Sequence, residues 1–151
     1  MKKVFILIFL CFSQILLAQK EANIWYFGDK AGLDFNSGTP VVLLDSQMYA
    51  EGGCASISDT NGNLLFYTNG RTVWNKNHLV MLNGTSLNGG SRSTHSAIVV
   101  PKPNNVSKYY IFTVGDFVDS TGLQYSEVDM TLDGGLGGVT SIKNIIFRYI
   151  I

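Results

Sequence analysis

The chain has 151 residues, with eleven Lys and Arg against eleven Asp and Glu, 46% hydrophobic residues and only 15% charged. That balance excludes a disordered segment and a polycation. With no basic run beyond Lys2-Lys3, the chain lacks the electrostatic footprint of phosphate-backbone binding, so nucleic acid is not expected as a partner.

In chain order, Met1-Lys2-Lys3 is a short positive n-region, and Val4 to Leu17 is an apolar run broken only by Ser13 and Gln14. This pattern predicts a secretory signal peptide over residues 1–19, cut after Ala18 or Gln19, although Leu occupies the −3 position for either cut, where a small residue is usual. The run is shorter than the roughly 18 to 20 apolar residues that span a bilayer, and Gln19-Lys20-Glu21 follows, so no stable membrane anchor is expected. Cys11 leaves with the signal. Cys54 then stands alone, which excludes an internal disulfide and multi-cysteine zinc sites and leaves it as a small buried side chain beside Gly52-Gly53.

All 16 glycines lie after residue 19, and no stretch there free of Gly and Pro exceeds 13 residues, which excludes long helices. Between these breaks lie short β-branched and aromatic runs: residues 24–27, 41–44, 55–58, 64–68, 97–100, 109–114 and 123–128. Each reads as a strand. Asp59-Thr60-Asn61-Gly62-Asn63 predicts a tight hairpin with positive φ supplied by Asn-Gly, and Asn69-Gly70 repeats the device before a third strand through residues 72–75. Residues 96–101, 108–114 and 122–130 give a second three-strand unit. The segments 63–70 and 108–115 align at an offset of 45 residues. The fold class is therefore all-β, built either from antiparallel meander repeats of a partial β-propeller or as a β-sandwich with similar hairpins.

The stretch Asn23-Ile-Trp-Tyr-Phe-Gly-Asp-Lys-Ala-Gly-Leu-Asp-Phe35 resembles a group of exported proteins, as do residues 51–70 and Val73-Trp-Asn-Lys-Asn-His78. The resemblance resumes at Ser93-Thr-His-Ser-Ala-Ile-Val-Val-Pro-Lys-Pro103, Tyr109-Tyr-Ile-Phe-Thr-Val114 and Leu123-Gln-Tyr-Ser-Glu-Val-Asp-Met130. The group is the N-terminal propeller-like region of large Bacteroidota surface proteins that carry a gliding-motility-associated, type IX secretion sorting domain. It implies four-stranded-meander blades over residues 20–142, a location outside the cytoplasm and, for full-length relatives, the cell surface. After Ile142 the tail 143–151 departs from the group's pattern. At about 45 residues per blade the chain holds about three blades, where propellers close with at least about four, so a truncated, periplasmic member is expected. Its uncovered blade faces and edges then favour self-association.

Few residues are candidates for chemistry. Ser93-Thr94-His95-Ser96 supplies hydroxyls beside an imidazole, but neighbours on a strand face opposite sides, and no Gly-x-Ser-x-Gly elbow presents a serine to His95 with Asp116 or Asp119. His95 is expected to bond backbone at a strand end, and His78 stands isolated. The Asp59–Asn63 run superficially resembles a calcium loop and reads as a hairpin. Gly134-Gly135-Leu136-Gly137-Gly138 reads as a flexible connection and not as a phosphate loop. Glu127 and Asp129 share a strand face as a glycosidase pair would, yet such pairs are common on solvated strands. Trp25, Tyr26, Trp74, Tyr109 and Tyr110 could stack on sugar rings but are expected mainly as core, together with Phe27, Leu65, Phe66, Ile98, Val100, Ile111 and Phe112. No catalytic, cofactor-binding or metal residue is assigned. The expected function is an exported, non-enzymatic binding or surface-scaffold module with an unidentified protein or carbohydrate ligand at the cell surface. Adhesion or gliding is implied only by the resemblance. The alternatives are a secreted glycosidase-like hydrolase and a non-functional fragment.

Overall fold

A computed structural model describes residues 20–116 and 122–147. The signal peptide expected over residues 1–19, and Asp119, lie outside the described residues. Three antiparallel sheets follow one another along the chain. The first holds β1 (Ile24–Phe27), β2 (Ala31–Asp34) and β3 (Val41–Leu43), and the second β4 (Ala55–Ser58), β5 (Leu64–Thr68) and β6 (Val73–Asn75). The third runs β7 (Ala97–Pro101), β8 (Lys108–Val114), β9 (Leu123–Asp129), with β10 (Gly138–Val139) and β11 (Ile145–Ile146) sharing the far side of β9. The third sheet is thus a four-position meander whose last strand is broken. β11 comes from the tail that sequence alone left without a strand. Among the described residues no helix is long and apolar enough to cross a membrane.

The aligned segments 63–70 and 108–115 contain β5 and β8, the second strands of consecutive sheets, so the 45-residue offset relates equivalent strands, although Phe66 and Ile111, which it pairs, meet across one junction. None of the sheets closes into a barrel. The second sheet is the centre of the stack. On one face Phe66 and Val73 pack with Tyr109, Ile111, Val128 and Val139 of the third sheet; on the other, Leu64, Tyr67 and Trp74 pack with Tyr26 and Ile24 of the first. Three stacked sheets are one more than a sandwich has. The first strands lie side by side, β1 against β4 and β4 against β7. Ser56 stitches the first pair: its Oγ donates to Ile24 O at 2.8 Å and accepts the Tyr26 N–H at 3.3 Å.

A β-bulge at Leu65 resolves a puzzle of burial. The register passes from Ile57 opposite Phe66 to Ser58 opposite Leu64, so Leu65 is the extra residue. A bulge interrupts the alternation of faces. Leu65 and Phe66 therefore serve the same core while Leu64 joins Tyr67 on the other side, whereas simple alternation would have sent Leu65 and Phe66 to opposite faces. Phe66 has no exposed surface. Phe66→Ala is expected to lower unfolding stability by about 3–5 kcal/mol, measured by urea titration.

Both end sheets turn an apolar face outward, which corrects the expected core. Trp25, Phe27, Ile98 and Val100 are exposed, Trp25 and Ile98 each by 50%, while their neighbours Tyr26 and Ala97 are buried. Either face of such a strand is hydrophobic, and only the position of the neighbouring sheet selects the buried one.

The hairpin at residues 59–63 also differs in detail. Gly62 alone takes positive φ (89°), and its N–H donates to Asp59 O at 2.9 Å. The Asp59 carboxylate accepts the backbone N–H groups of Asn61 and Asn63 and the Asn63 amide, each at 2.9 Å. Burial acts to raise the Asp59 carboxyl, and these bonds more than offset it, holding the group below its ordinary range. The carboxylate is a clamp on the turn. The glycine-rich segment contains a single 3-10 turn, Asp133–Gly135, before β10 begins.

Candidate functional site

The loops at one end of the stack enclose a cleft. Three adjoining depressions, of about 330, 650 and 270 Å³, share Tyr49, Asn69, Arg71, Leu87, Asn88 and Asp116 between them and so form one continuous feature. Its walls come from the β3–β4 loop, the β5–β6 turn, the β6–β7 loop and the residues after β8. The turn is built by side chains: Asn69 Oδ1 accepts the N–H groups of Arg71 and Thr72, both at 3.0 Å, and its Nδ2 donates to Tyr49 O at 3.0 Å. This ties the turn to the neighbouring loop and leaves the Tyr49 ring outside, 58% exposed. Asn88 is held by two partners, its Nδ2 donating to Gln124 Oε1 at 2.9 Å and its N–H to Asn144 Oδ1 at 3.2 Å. Across the cleft Arg92 pairs with Glu51 at 3.5 Å, and the Arg92 N–H donates to Asp116 Oδ1 at 3.0 Å.

The serine and histidine candidates do not form a nucleophile and base. Ser96 is fully buried, and its Oγ donates to Asn69 O at 2.9 Å, while the His95 side chain is exposed and makes no hydrogen bond among the described residues. The backbone bond expected of His95 is thus not made by its ring to any described residue. Glu127 sits opposite Tyr110, four residues and roughly 13 Å of strand from Val114, beyond which Asp116 lies. Of these three groups Asp116 alone lines the cleft described above.

His78, by contrast, is not isolated. Its Nε2 lies 3.3 Å from Asp45 Oδ2 and its Nδ1 3.2 Å from the Tyr67 hydroxyl, and Tyr26 donates to Asp45 Oδ1 at 2.7 Å. With the Nε2–H tautomer, assigned from this network, Asp45 accepts from the imidazole and Tyr67 donates to it. Acid, imidazole and hydroxyl stand in line in the order of a catalytic relay, with the hydroxyl enclosed. Tyr67 is fully buried and its oxygen accepts the Gln47 N–H at 3.1 Å. Burial pushes the Tyr67 phenol upward, and burial together with the Asp45 carboxylate pushes Tyr26 well above the ordinary phenol range. Neither phenol supplies a nucleophile. The network instead ties the loop after β3 to the aromatic core formed by Tyr26, Tyr67 and Trp74. Asp45, Tyr67 and His78 stand 22 and 11 residues apart, a spacing that carries no motif.

The Glu127 and Asp129 pair is an ion-pair cluster. Glu127 is buried and accepts from Lys102 Nζ at 2.7 Å and Lys108 Nζ at 2.9 Å; Lys108 also lies 3.3 Å from Asp129. The Lys102 bond leads in holding the Glu127 carboxyl below its ordinary range, against its partial desolvation, and the same contacts raise both lysines. A glycosidase acid needs the opposite shift. The Glu127 contribution to stability is present above the unfolded carboxyl value of about 4.3 and is lost as pH falls through the depressed folded value; the lysine contribution is present below about 10.4 and is lost as pH rises through the raised values. Urea midpoints should therefore fall on both sides of this window, and Glu127→Gln should shallow the acid limb. An acid limb unchanged by the substitution would assign it to other carboxylates.

Cys54 is half-buried, with its Sγ 3.5 Å from Tyr26 O, and burial raises its thiol. Of the aromatic candidates, Tyr26, Trp74 and Tyr109 are core, while Trp25 and Tyr110 lie on the outer faces of opposite end sheets. Tyr49 went unnoticed in the sequence because nothing in Gln47-Met48-Tyr49-Ala50 separates an exposed ring from a buried one. Comparison with protein-family models, with curated proteins and with solved structures gave no match.

Proposed function

We propose that the protein is an exported, non-enzymatic binding or surface-scaffold module of propeller type. The observation that carries this reading is the stack itself: successive antiparallel sheets packed face to face in chain order, with their first strands adjacent and a polar cleft across one end. Successive meanders stacked in this way are how propeller blades bury their faces. Support for export comes from the charge and apolar run of residues 1–17, and support for a surface role in adhesion or gliding from the resemblance of residues 23–142 alone. The non-enzymatic reading draws on the engaged state of the candidate groups: Glu127 is neutralised by two lysines, Ser96 faces a carbonyl, and Tyr67 is sealed. The outer sheet faces supply docking area for the scaffold role.

The test is expression of the full chain in a Gram-negative host, with fractionation and N-terminal sequencing. The product is expected outside the cytoplasm, beginning at Gln19 or Lys20. A cytoplasmic product that retains Met1 overturns the export reading.

A further inference from the structure

We infer that the cleft across the loop end of the stack is a binding site for neutral carbohydrate, recognised through Tyr49, Asn69, Arg71 and Asn88. The inference rests on the reading of the chain as an extracellular binding module and adds the ligand class to it.

The central depression, about 650 Å³, is of the size that holds a small ligand or a few residues of a polymer. A sugar ring presents an apolar C–H face and a rim of hydroxyls, each of which both donates and accepts. A site that recognises it offers an exposed aromatic ring beside planar polar groups. Tyr49 supplies the ring, exposed although its main chain is bonded to Asn69. Asn69 and Asn88 supply amides, and the exposed Arg71 adds a guanidinium with no ion-pair partner among the described residues. The supporting groups are fixed before any ligand arrives. Asn69 is held at both ends of its amide, and Asn88 by its amide on Gln124 and its main chain on Asn144, so less rotamer freedom remains to be lost on binding.

Other ligand classes fit less well. A polyanion would meet the Glu51 and Asp116 carboxylates in the same cleft, and Arg92 is already paired with Glu51. An apolar ligand or helix would find, besides the single Tyr49 ring, only Leu87 and Trp74, both nearly buried, in an otherwise polar lining. No group of three His, Cys, Asp or Glu side chains able to hold a metal ion occurs among the described residues.

The test is affinity electrophoresis of the exported protein in gels containing starch, mixed-linkage β-glucan, galactomannan or xylan, with pectin and heparin as anionic comparisons. At least one neutral polysaccharide is expected to retard the protein. Tyr49→Ala and Arg71→Ala should each weaken that retardation at least tenfold while leaving the thermal unfolding midpoint within a few degrees of the parent. Retardation by none of the four neutral polymers, retardation by the anionic polymers alone, or retardation that Tyr49→Ala leaves unchanged would overturn the inference. Failure here is distinguishable from failure of the export reading: a protein found outside the cytoplasm with a processed N-terminus that binds no neutral polymer loses the ligand class only.

Discussion

Residues 20–151 are expected to sediment as dimers or larger species at micromolar concentration, and the double variant Ile98→Lys/Phe147→Lys as a monomer. The outer face of the third sheet places Ile98, Phe112, Tyr125 and Ile145 in one row across β7, β8, β9 and β11, flanked by Val100 and Phe147. Phe147 stacks on Phe112 at 5.8 Å and lies 5.2 Å from Tyr125, yet it remains 51% exposed. At the other end of the stack Trp25, Phe27 and Val42 are exposed on the first sheet. Contiguous apolar surface of this extent is uncommon on a monomer. The free faces of the third and first sheets are both apolar, so a second copy stacked third sheet against first would bury both. Such head-to-tail contact closes a ring or extends as a filament. Ile98 and Phe147 are half exposed in the single chain, so Lys at these positions costs folding little, while an unpaired ammonium in the contact should weaken association about 100-fold, roughly 3 kcal/mol. Sedimentation velocity across a hundredfold concentration range decides the matter. A parent protein that stays monomeric throughout, or assemblies indifferent to both charges, would show that these faces do not associate.

Strand positions were legible because backbone sterics and turn chemistry act locally. The β-branched and aromatic runs between Gly and Asn breaks became β1, β3 to β9 with bounds shifted by a residue or so. β2 was not legible: Ala31-Gly-Leu-Asp34 has little strand propensity and is held by ladders to β1 and β3. Gly32 is needed there because a β-carbon would sit 2.6 Å from the Tyr26 ring. β10 and β11 exist through pairing with β9, a relation no local window contains. Burial in the end sheets was illegible for a related reason. Trp25 and Tyr26 are equally hydrophobic in sequence, and only the placement of the second sheet makes Tyr26 the buried one. The cleft was the least legible feature, since Tyr49, Asn69, Arg71 and Asn88 are ordinary loop residues until three loops converge.

Gly53→Ala is expected to cost about 3 kcal/mol or more, a large part of the 5–15 kcal/mol that holds a domain of this size together. Gly53 lies where the β3–β4 loop crosses the main chain leading into β7, and its N–H donates to Ser93 O at 2.8 Å. A β-carbon there would clash with the Ser96 amide nitrogen and stand 2.7 Å from Thr94 O and 2.8 Å from His95 Cα. All three are main-chain atoms that cannot swing aside as a side chain would. The same junction continues through Gly89, whose N–H donates to Gly70 O at 2.8 Å, and through Ser96 Oγ, which donates to Asn69 O. To admit one methyl group, the second and third sheets must part, and the shared core of Phe66, Ala97 and Ile111 loosens with them. Gly38→Ala is the matching control. Gly38 has φ 85° but nothing within 4 Å of an added β-carbon, so its replacement carries only the left-handed backbone penalty of about 1–2 kcal/mol. Urea titration of the two variants side by side separates crowding from backbone strain: a Gly53→Ala midpoint at or above that of Gly38→Ala would mean that the main chains at this crossing yield, and that the sheets are held together by their apolar faces alone.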